Sequence, residues 1–340
     1  MFGFPTAASP DQKGTDALRQ TIVDRLAQLY HWEVKVEDLV FVPGVVTGFN
    51  LACHTLAVLG GGVLVQTPVY TPLLNAPGNA EMTRQEMELT QCPDGSYSID
   101  WRAFDAGITD QTHLFILCNP HNPVGRVFRK DELESMAEIC LRRGVVICSD
   151  EIHGDLIFRG HRHLPLASLD PVIAQNTITL IAPSKTYNLA GLACSIAVIQ
   201  NAELRQKYLH SGKGLVSWVN LMGMVAAQAA YQKGQDWLDQ LLVYLEANRD
   251  YMTKFVQEEI PEVRMGKPEG TYLAWLDCRQ AGINGNPYEF FLQKARVAHN
   301  DGGRFGRGGT GFVRLNFGCP RPMLTEALNR MKEALVHNKG

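Results

Sequence analysis

Ile178-Thr179-Leu180-Ile181-Ala182-Pro183-Ser184-Lys185-Thr186 is an apolar, β-branched run that leads directly to a lysine. Residues 178–182 carry little polar alternation, which is the pattern of a strand buried on both faces. A lysine at the end of such a strand needs a reason, because an unpaired ammonium is costly to desolvate. It is either an exposed residue opening a loop or an amine with chemistry to do. An amine condensed with an aldehyde as a Schiff base no longer needs a full local charge. Lys185 is therefore the candidate reactive group.

Working outward, similar apolar runs lie at 63–66 (VLVQ), 114–118 (LFILC), 145–149 (VVICS) and 195–199 (SIAVI). Helical patterns separate some of them. Leu18, Ile22, Val23, Leu26 and Leu29 have amphipathic spacing over 15–30. Asp131 with Glu134 three residues on has the spacing of a capping box, and Gly144 supplies the stop. Alternating strands and helices predict an α/β fold, with a mostly parallel central sheet, helices on both faces and right-handed crossovers. After about residue 200 the pattern changes. Residues 203–258 read as mostly helical, with weak breaks at Gly212, Gly214 and Gly234. Strands near 271–277 and 312–317 and a helix over 322–336 then predict a smaller α+β unit. The expected division is a large domain over 13–235 and a small C-terminal domain over 236–340, after a segment 1–12. The glycine-rich stretch 302–311 reads as a mobile loop.

At 340 residues the chain is long enough for two domains. A net charge of −3 argues against a polyanion-binding surface, so nucleic acid is not an expected partner. No apolar run reaches the length that crosses a bilayer, and the start lacks the basic and apolar regions of a signal peptide. The eight cysteines fall singly, with no CxxC pair, as buried free thiols in a reducing cytoplasm would.

Further candidates sit at the ends of the apolar runs. Asp150, in Ser149-Asp150-Glu151-Ile152-His153, is a helix cap or a carboxylate at the ligand-binding edge of an α/β sheet, able to keep a pyridine nitrogen protonated. Asn122, in Asn119-Pro120-His121-Asn122-Pro123, is a turn residue or a donor to a ring oxygen. Tyr70 either packs in the core or stacks on a planar group. Gly44-Val45-Val46-Thr47-Gly48 would open a helix and present N–H groups to a phosphate. Arg314, among apolar neighbours in 312–316, calls for a carboxylate from a substrate or from within the protein. His153, His161 and His163 lack the companion spacing of a metal site, and no metal is expected.

These motifs occur in one order. Asn-Pro-x-Asn-Pro, Ser-Asp-Glu-Ile-His, Pro-Ser-Lys-Thr and Phe-Val-Arg-Leu-Asn-Phe-Gly-Cys-Pro-Arg resemble the fold-type-I enzymes that depend on pyridoxal 5'-phosphate (PLP). With residues 267–277 and Asp301-Gly302-Gly303 leading to Phe305-Gly306, the chain is most similar to their cystathionine β-lyase, or C–S lyase, branch. The resemblance spans nearly the whole chain. It implies a PLP-dependent transferase-like fold and Lys185 as the cofactor-linked lysine and base. Asp150 would partner the pyridine nitrogen, with Asn122 and His153 near the ring hydroxyl and Tyr70 stacked on the ring. Val46, Thr47 and Ser184 would serve the phosphate, and Arg314 the substrate carboxylate. It also implies a homodimer. Three departures accompany it: the chain begins where relatives carry a further N-terminal segment, Phe4 stands where many have tyrosine, and Ala182 replaces a phosphate-binding serine whose companion arginine also lacks a counterpart.

The implied activity is β-elimination from cystathionine, cystine or a related S-substituted cysteine, giving thiol, pyruvate and ammonia. An aminotransferase using the same lysine is the alternative, and a non-catalytic regulatory protein is the second.

Overall fold

The computed structural model describes residues 12–338; Phe4 lies outside them. Twelve strands are described: β1 (Leu39–Val42), β2 (Gly62–Thr67), β3 (Thr83–Glu88), β4 (Thr90–Gln91), β5 (Tyr97–Ser98), β6 (Thr112–Cys118), β7 (Val146–Asp150), β8 (Thr177–Ile181), β9 (Ser195–Val198), β10 (Leu273–Asp277), β11 (Asn300–Asp301) and β12 (Phe312–Asn316). Seven form one sheet in the order β1-β9-β8-β7-β6-β2-β3. Its five central and outer strands β8, β7, β6, β2 and β3 are parallel, and β9 runs antiparallel to both its neighbours. The expected mostly parallel α/β sheet is present.

Both faces of that sheet are covered, and the period-2 alternation of strand side chains explains how. Val63, Val65, Leu114, Ile116, Cys148, Ile178 and Leu180 turn to one face. They meet Phe49 and Ala52 of α2 (Val45–Thr55) and Leu73 of α3 (Thr71–Asn79). Leu64, Phe115, Leu117 and Ile147 turn to the other. There they meet Phe104 of α4 (Trp101–Gly107) and Leu133, Met136 and Cys140 of α5 (Lys130–Arg142). The sequence pattern gave no notice of β1 or β3. The sequence of β3, TRQEME, is that of an exposed edge strand, fixed by its parallel register with β2 and not by burial.

The expected first helix is α1 (Gln12–Tyr30); its Leu18, Ile22 and Leu26 pack on Ile196 and Val198 of β9. The capping box of α5 is displaced by two residues from Asp131/Glu134. Arg129 is the cap, and its N–H donates to Glu132 Oε2 at 3.0 Å. Asp131 instead pairs with the Arg129 guanidinium. Gly144 closes the helix at φ +68°.

The region 203–258 is three helices: α8 (Ala202–Ser211), α9 (Leu221–Lys233) and α10 (Gln235–Glu259). Residues 212–220 between the first two are not helical. A second sheet, β10-β12-β11, packs with α10 and α12 (Arg321–Asn338) around Ala274, Leu276, Val313 and Leu315. The stretch 302–311, expected as a mobile loop, is compactly folded. A Cβ on Gly302 would lie 2.3 Å from the carbonyl oxygen of Gly309, so glycine is required by close backbone approach.

Candidate active site

Four neighbouring parallel strands, β8, β7, β6 and β2, end on the same edge of the sheet. Lys185, Asp150, Asn122 and Tyr70 leave from those ends. Backbone hydrogen bonds tie the ends together. Glu151 N–H donates to Leu180 O at 2.9 Å, Asn119 N–H to Asp150 O at 2.9 Å, and Tyr70 N–H to Asn122 O at 3.0 Å. His121 Nε2 bonds Pro68 O at 2.8 Å. The carboxyl edge of a parallel sheet is where α/β proteins bind ligands.

Lys185 is half-buried in the four-residue helix α7 (Pro183–Thr186), directly after β8. Asp150 is buried as the last residue of β7. No helix follows for it to cap; its Oδ1 accepts from Ile152 N–H at 3.2 Å. Burial pushes its carboxyl up to about 7, with Glu151 adding to the rise and the Ile152 bond and the charge of Lys185 opposing it. His153 is also buried, and burial, with the charges of Lys185 and Arg314, holds its imidazole down to about 3. It is a neutral ring whose Nδ1 has no hydrogen-bond partner, set edge-on to Tyr272 at 5.8 Å. A buried polar atom without a partner marks a place where a ligand can complete the network. The charges of Lys185 and Arg314 both act on His153.

Arg314, on β12, reaches this edge from the second sheet. Its Nη1 donates to Asn122 Oδ1 at 2.8 Å, and its Nη2 and Nε donate to Asn300 Oδ1 at 2.7 and 3.2 Å. The guanidinium lies 5.0 Å from the centre of the Phe305 ring. Every one of these partners is neutral. Among the described residues, the internal carboxylate that the sequence left open is not there, and a half-buried cation remains to be matched. Tyr70 is half-buried at the start of α3, packing partly against the core. With Asn122 Oδ1 committed to Arg314, the Asn122 amide nitrogen is the end left to donate.

At the other end of the edge, α2 begins with Gly44 at φ +114°. Its first backbone bond is Gly48 N–H to Gly44 O, so the N–H groups of Val46 and Thr47 sit in the turn that has no intrahelical acceptor. Val46 is exposed and Thr47 half-buried. Helix α2 lies on β8 through Gly48, where a Cβ would meet the Leu180 side chain at 2.8 Å. Ser184 is half-buried in the first turn of α7. His163 is spent on Glu151 at 2.9 Å, and His161 faces Glu269 at 3.9 Å.

Sequence reasoning missed three supports of this site. Asn300 stands opposite Arg314 in the β11–β12 register; the short strand before a glycine-rich stretch was the available signal. Asp155 accepts from Thr186 Oγ1 at 3.0 Å and pairs with Arg25 of α1 at 2.7 Å, holding the turn that carries Lys185. Glu151, beneath Asp150, accepts from Ser149 Oγ and Leu166 N–H.

Comparison with known proteins fits this geometry. The family described as aminotransferase class I and II matches residues 5–331. Cystathionine beta-lyase PatB of Bacillus subtilis is 39% identical over 98% of this chain and 85% of its own. The crystal structure of cystalysin from Treponema denticola, which contains a pyridoxal 5'-phosphate cofactor, superposes with a TM-score of 0.93 at 31% identity, covering 98% of this chain and 84% of that one. The PLP-bound C–S lyase from Staphylococcus hominis gives 0.90 at 31% identity, over 95% and 84%. A parallel-sheet edge bearing Lys185, Asp150 and Asn122, faced by Arg314, together with these likenesses over almost the full chain, establishes that the protein belongs to the class I and II aminotransferase family, within its cystathionine β-lyase branch.

Proposed function

We propose that the protein is a PLP-dependent C–S β-lyase acting on cystathionine, cystine or a related S-substituted cysteine. The residues present suit the cofactor. Lys185 offers an amine for its aldehyde. Asp150 offers a carboxylate whose burial would be offset by a pyridinium. The unpartnered Nδ1 of His153 and the amide nitrogen of Asn122 are groups available to a ring hydroxyl. Val46, Thr47 and Ser184 offer donors for a phosphate. When bound, PLP supplies an electron sink for the pair left at the substrate Cα.

The chain's own residues do the rest. Arg314 binds the substrate carboxylate bidentately and so orients the Cα–H bond. Lys185 Nζ, once released by the incoming amine, takes the Cα proton as general base. Asp150 keeps its partner nitrogen protonated by charge pairing. The β-thiolate then leaves, and hydrolysis gives pyruvate and ammonia. The observation that carries the reading is Arg314: a half-buried guanidinium whose side-chain hydrogen-bond partners among the described residues are amides, one of them Asn122 at the sheet edge that bears Lys185 and Asp150. The lyase reading is favoured over transamination by the names of two similar proteins, cystathionine beta-lyase PatB and the C–S lyase from Staphylococcus hominis. Cystathionine given to the PLP-loaded protein should yield pyruvate and thiol steadily with no oxo acid present. Strict dependence on an oxo acid, with no thiol released, would establish the aminotransferase reading instead.

The working unit is proposed to be a homodimer of chains divided into domains 13–235 and 236–340. Leu215, Trp218, Leu221, Met222 and Val225 are exposed within one short stretch, as an interface would require. The proposed location is the cytoplasm, in keeping with eight free cysteines; no helix among the described residues is long and apolar enough to cross a membrane.

A further inference from the structure

Arg314 has five N–H donors. Asn300 Oδ1 takes two of them, from Nη2 at 2.7 Å and Nε at 3.2 Å, and Asn122 Oδ1 takes one from Nη1 at 2.8 Å. One edge of the planar group is thereby closed by a single oxygen. Among the described residues, two donors remain, one on each terminal nitrogen, and both are available to a carboxylate. The register of the second sheet enforces this: β11 sets Asn300 directly across from Arg314 on β12. Phe305 lies under the guanidinium and limits its tilt.

The chemistry of the two acceptors matters as much as their position. An aspartate at 300 would make the same hydrogen bonds and would also neutralise the arginine. An amide oxygen holds the group without using its charge. Asn300 is exposed, so it closes the edge that water would otherwise occupy. Asn122 is buried and does the same on the inner side.

We infer that Asn300 is a specificity-determining positioning residue: it locks the Arg314 fork by one edge with a neutral acceptor and so reserves the full charge for the α-carboxylate of the substrate. The inference rests on the reading of Arg314 as the carboxylate clamp. It has a direct consequence for selectivity. The protein should distinguish an amino acid from the amine of the same skeleton lacking the carboxylate, and that distinction should depend on residue 300 being neutral.

The test is equilibrium binding to the PLP-loaded protein, read from its visible absorbance. The probes are S-methyl-L-cysteine, under conditions of slow turnover, and 2-(methylthio)ethylamine. In Asn300→Asp the amino acid should bind roughly tenfold to a hundredfold more weakly, as for a charge placed against a paired ligand, with the amine affinity unchanged. Asn300→Ala should lose several-fold in amino-acid affinity only, and should raise KM more than it lowers kcat. The unchanged amine arm reports an intact site in each variant. If both variants keep the wild-type preference while Arg314→Ala abolishes it, the assignment of Asn300 is overturned and the clamp stands. If Arg314→Ala also keeps the preference, the clamp reading itself fails.

Discussion

Asp150 and Lys185 show how a single side chain's surroundings set its chemistry. Burial pushes Asp150 up to about 7, so without a cofactor the folded protein holds a proton that the unfolded chain releases near pH 4. Between those values the native state binds more protons than the unfolded state, and stability falls as pH rises. Asp150→Asn should remove that loss. In cofactor-free protein the variant should match wild type near pH 4 and exceed it above pH 7, by at most about 4 kcal/mol. Urea denaturation across this range is the measurement; a wild-type minus variant difference that does not change with pH would refute the buried, uncompensated carboxylate. His153, held down to about 3, gives a slope of opposite sign over pH 3 to 6.5, but it is common to both proteins and cancels in the difference. Lys185 is tested covalently. Borohydride treatment of the PLP-loaded protein should fix the label on the peptide containing Lys185, and Lys185→Ala should abolish turnover, since both the attachment point and the base are gone. A label found on another lysine would overturn the assignment.

Helices and strands position these groups through a few contacts that cross the molecule. Asp155 binds Thr186 Oγ1 in α7 and Arg25 in α1. One carboxylate thus joins the first helix to the turn that carries Lys185. Both partners are largely buried, with 14% and 17% of the side chains exposed for Arg25 and Asp155. Removing one member of such a pair leaves an uncompensated charge. Asp155→Ala should destabilise the fold by about 3 kcal/mol. Thr186→Val, which keeps the shape and loses the donor, should cost about 1 kcal/mol. Thermal unfolding of the two variants measures both, and equal small losses would show that the tie between α1 and α7 is not structural. The second sheet has an equivalent constraint in Gly302. An added Cβ would meet the carbonyls of Gly309 and Phe312 at 2.3 and 2.4 Å, so β11 and β12 can approach only with glycine there.

At the scale of the whole molecule, the exposed apolar stretch after α8 calls for a partner. Leu215 and Trp218 are 85% and 75% exposed, and Met222 is 66% exposed. Several large apolar side chains exposed within one short stretch suit an interaction site, and a symmetric pair is the commonest way to cover them. Light scattering at micromolar concentration should give twice the chain mass. Trp218→Asp should shift the equilibrium to monomer while leaving the thermal transition of the monomer cooperative. A wild-type monomer with full activity would remove the homodimer from the proposal.

Much of the architecture was legible without coordinates because it rests on local rules. Seven of the strands (β2, β6, β7, β8, β9, β10 and β12), the first and last described helices and the ordered motifs at strand ends follow from hydrophobic periodicity and from residues that are unusual where they stand, such as Lys185 and Asp150. β1 and β3 were not legible: β3 is polar along its length and exists because β2 offers it an edge. The cap at Arg129 escaped because arginine has no side-chain acceptor to mark it as a capping residue, and only the reach of Glu132 back to its N–H identifies it. The partner of Arg314 was open between a substrate and an internal carboxylate. That question depends on which groups lie within about 3 Å once two sheets meet, and the meeting brings together Asn122 and Asn300, 178 residues apart in the chain, around one guanidinium. Sequence alone determined which elements form and which residues stand at their ends. Tertiary structure decided their partners, because charge balance in a buried site is set by distances between segments that no local pattern encodes.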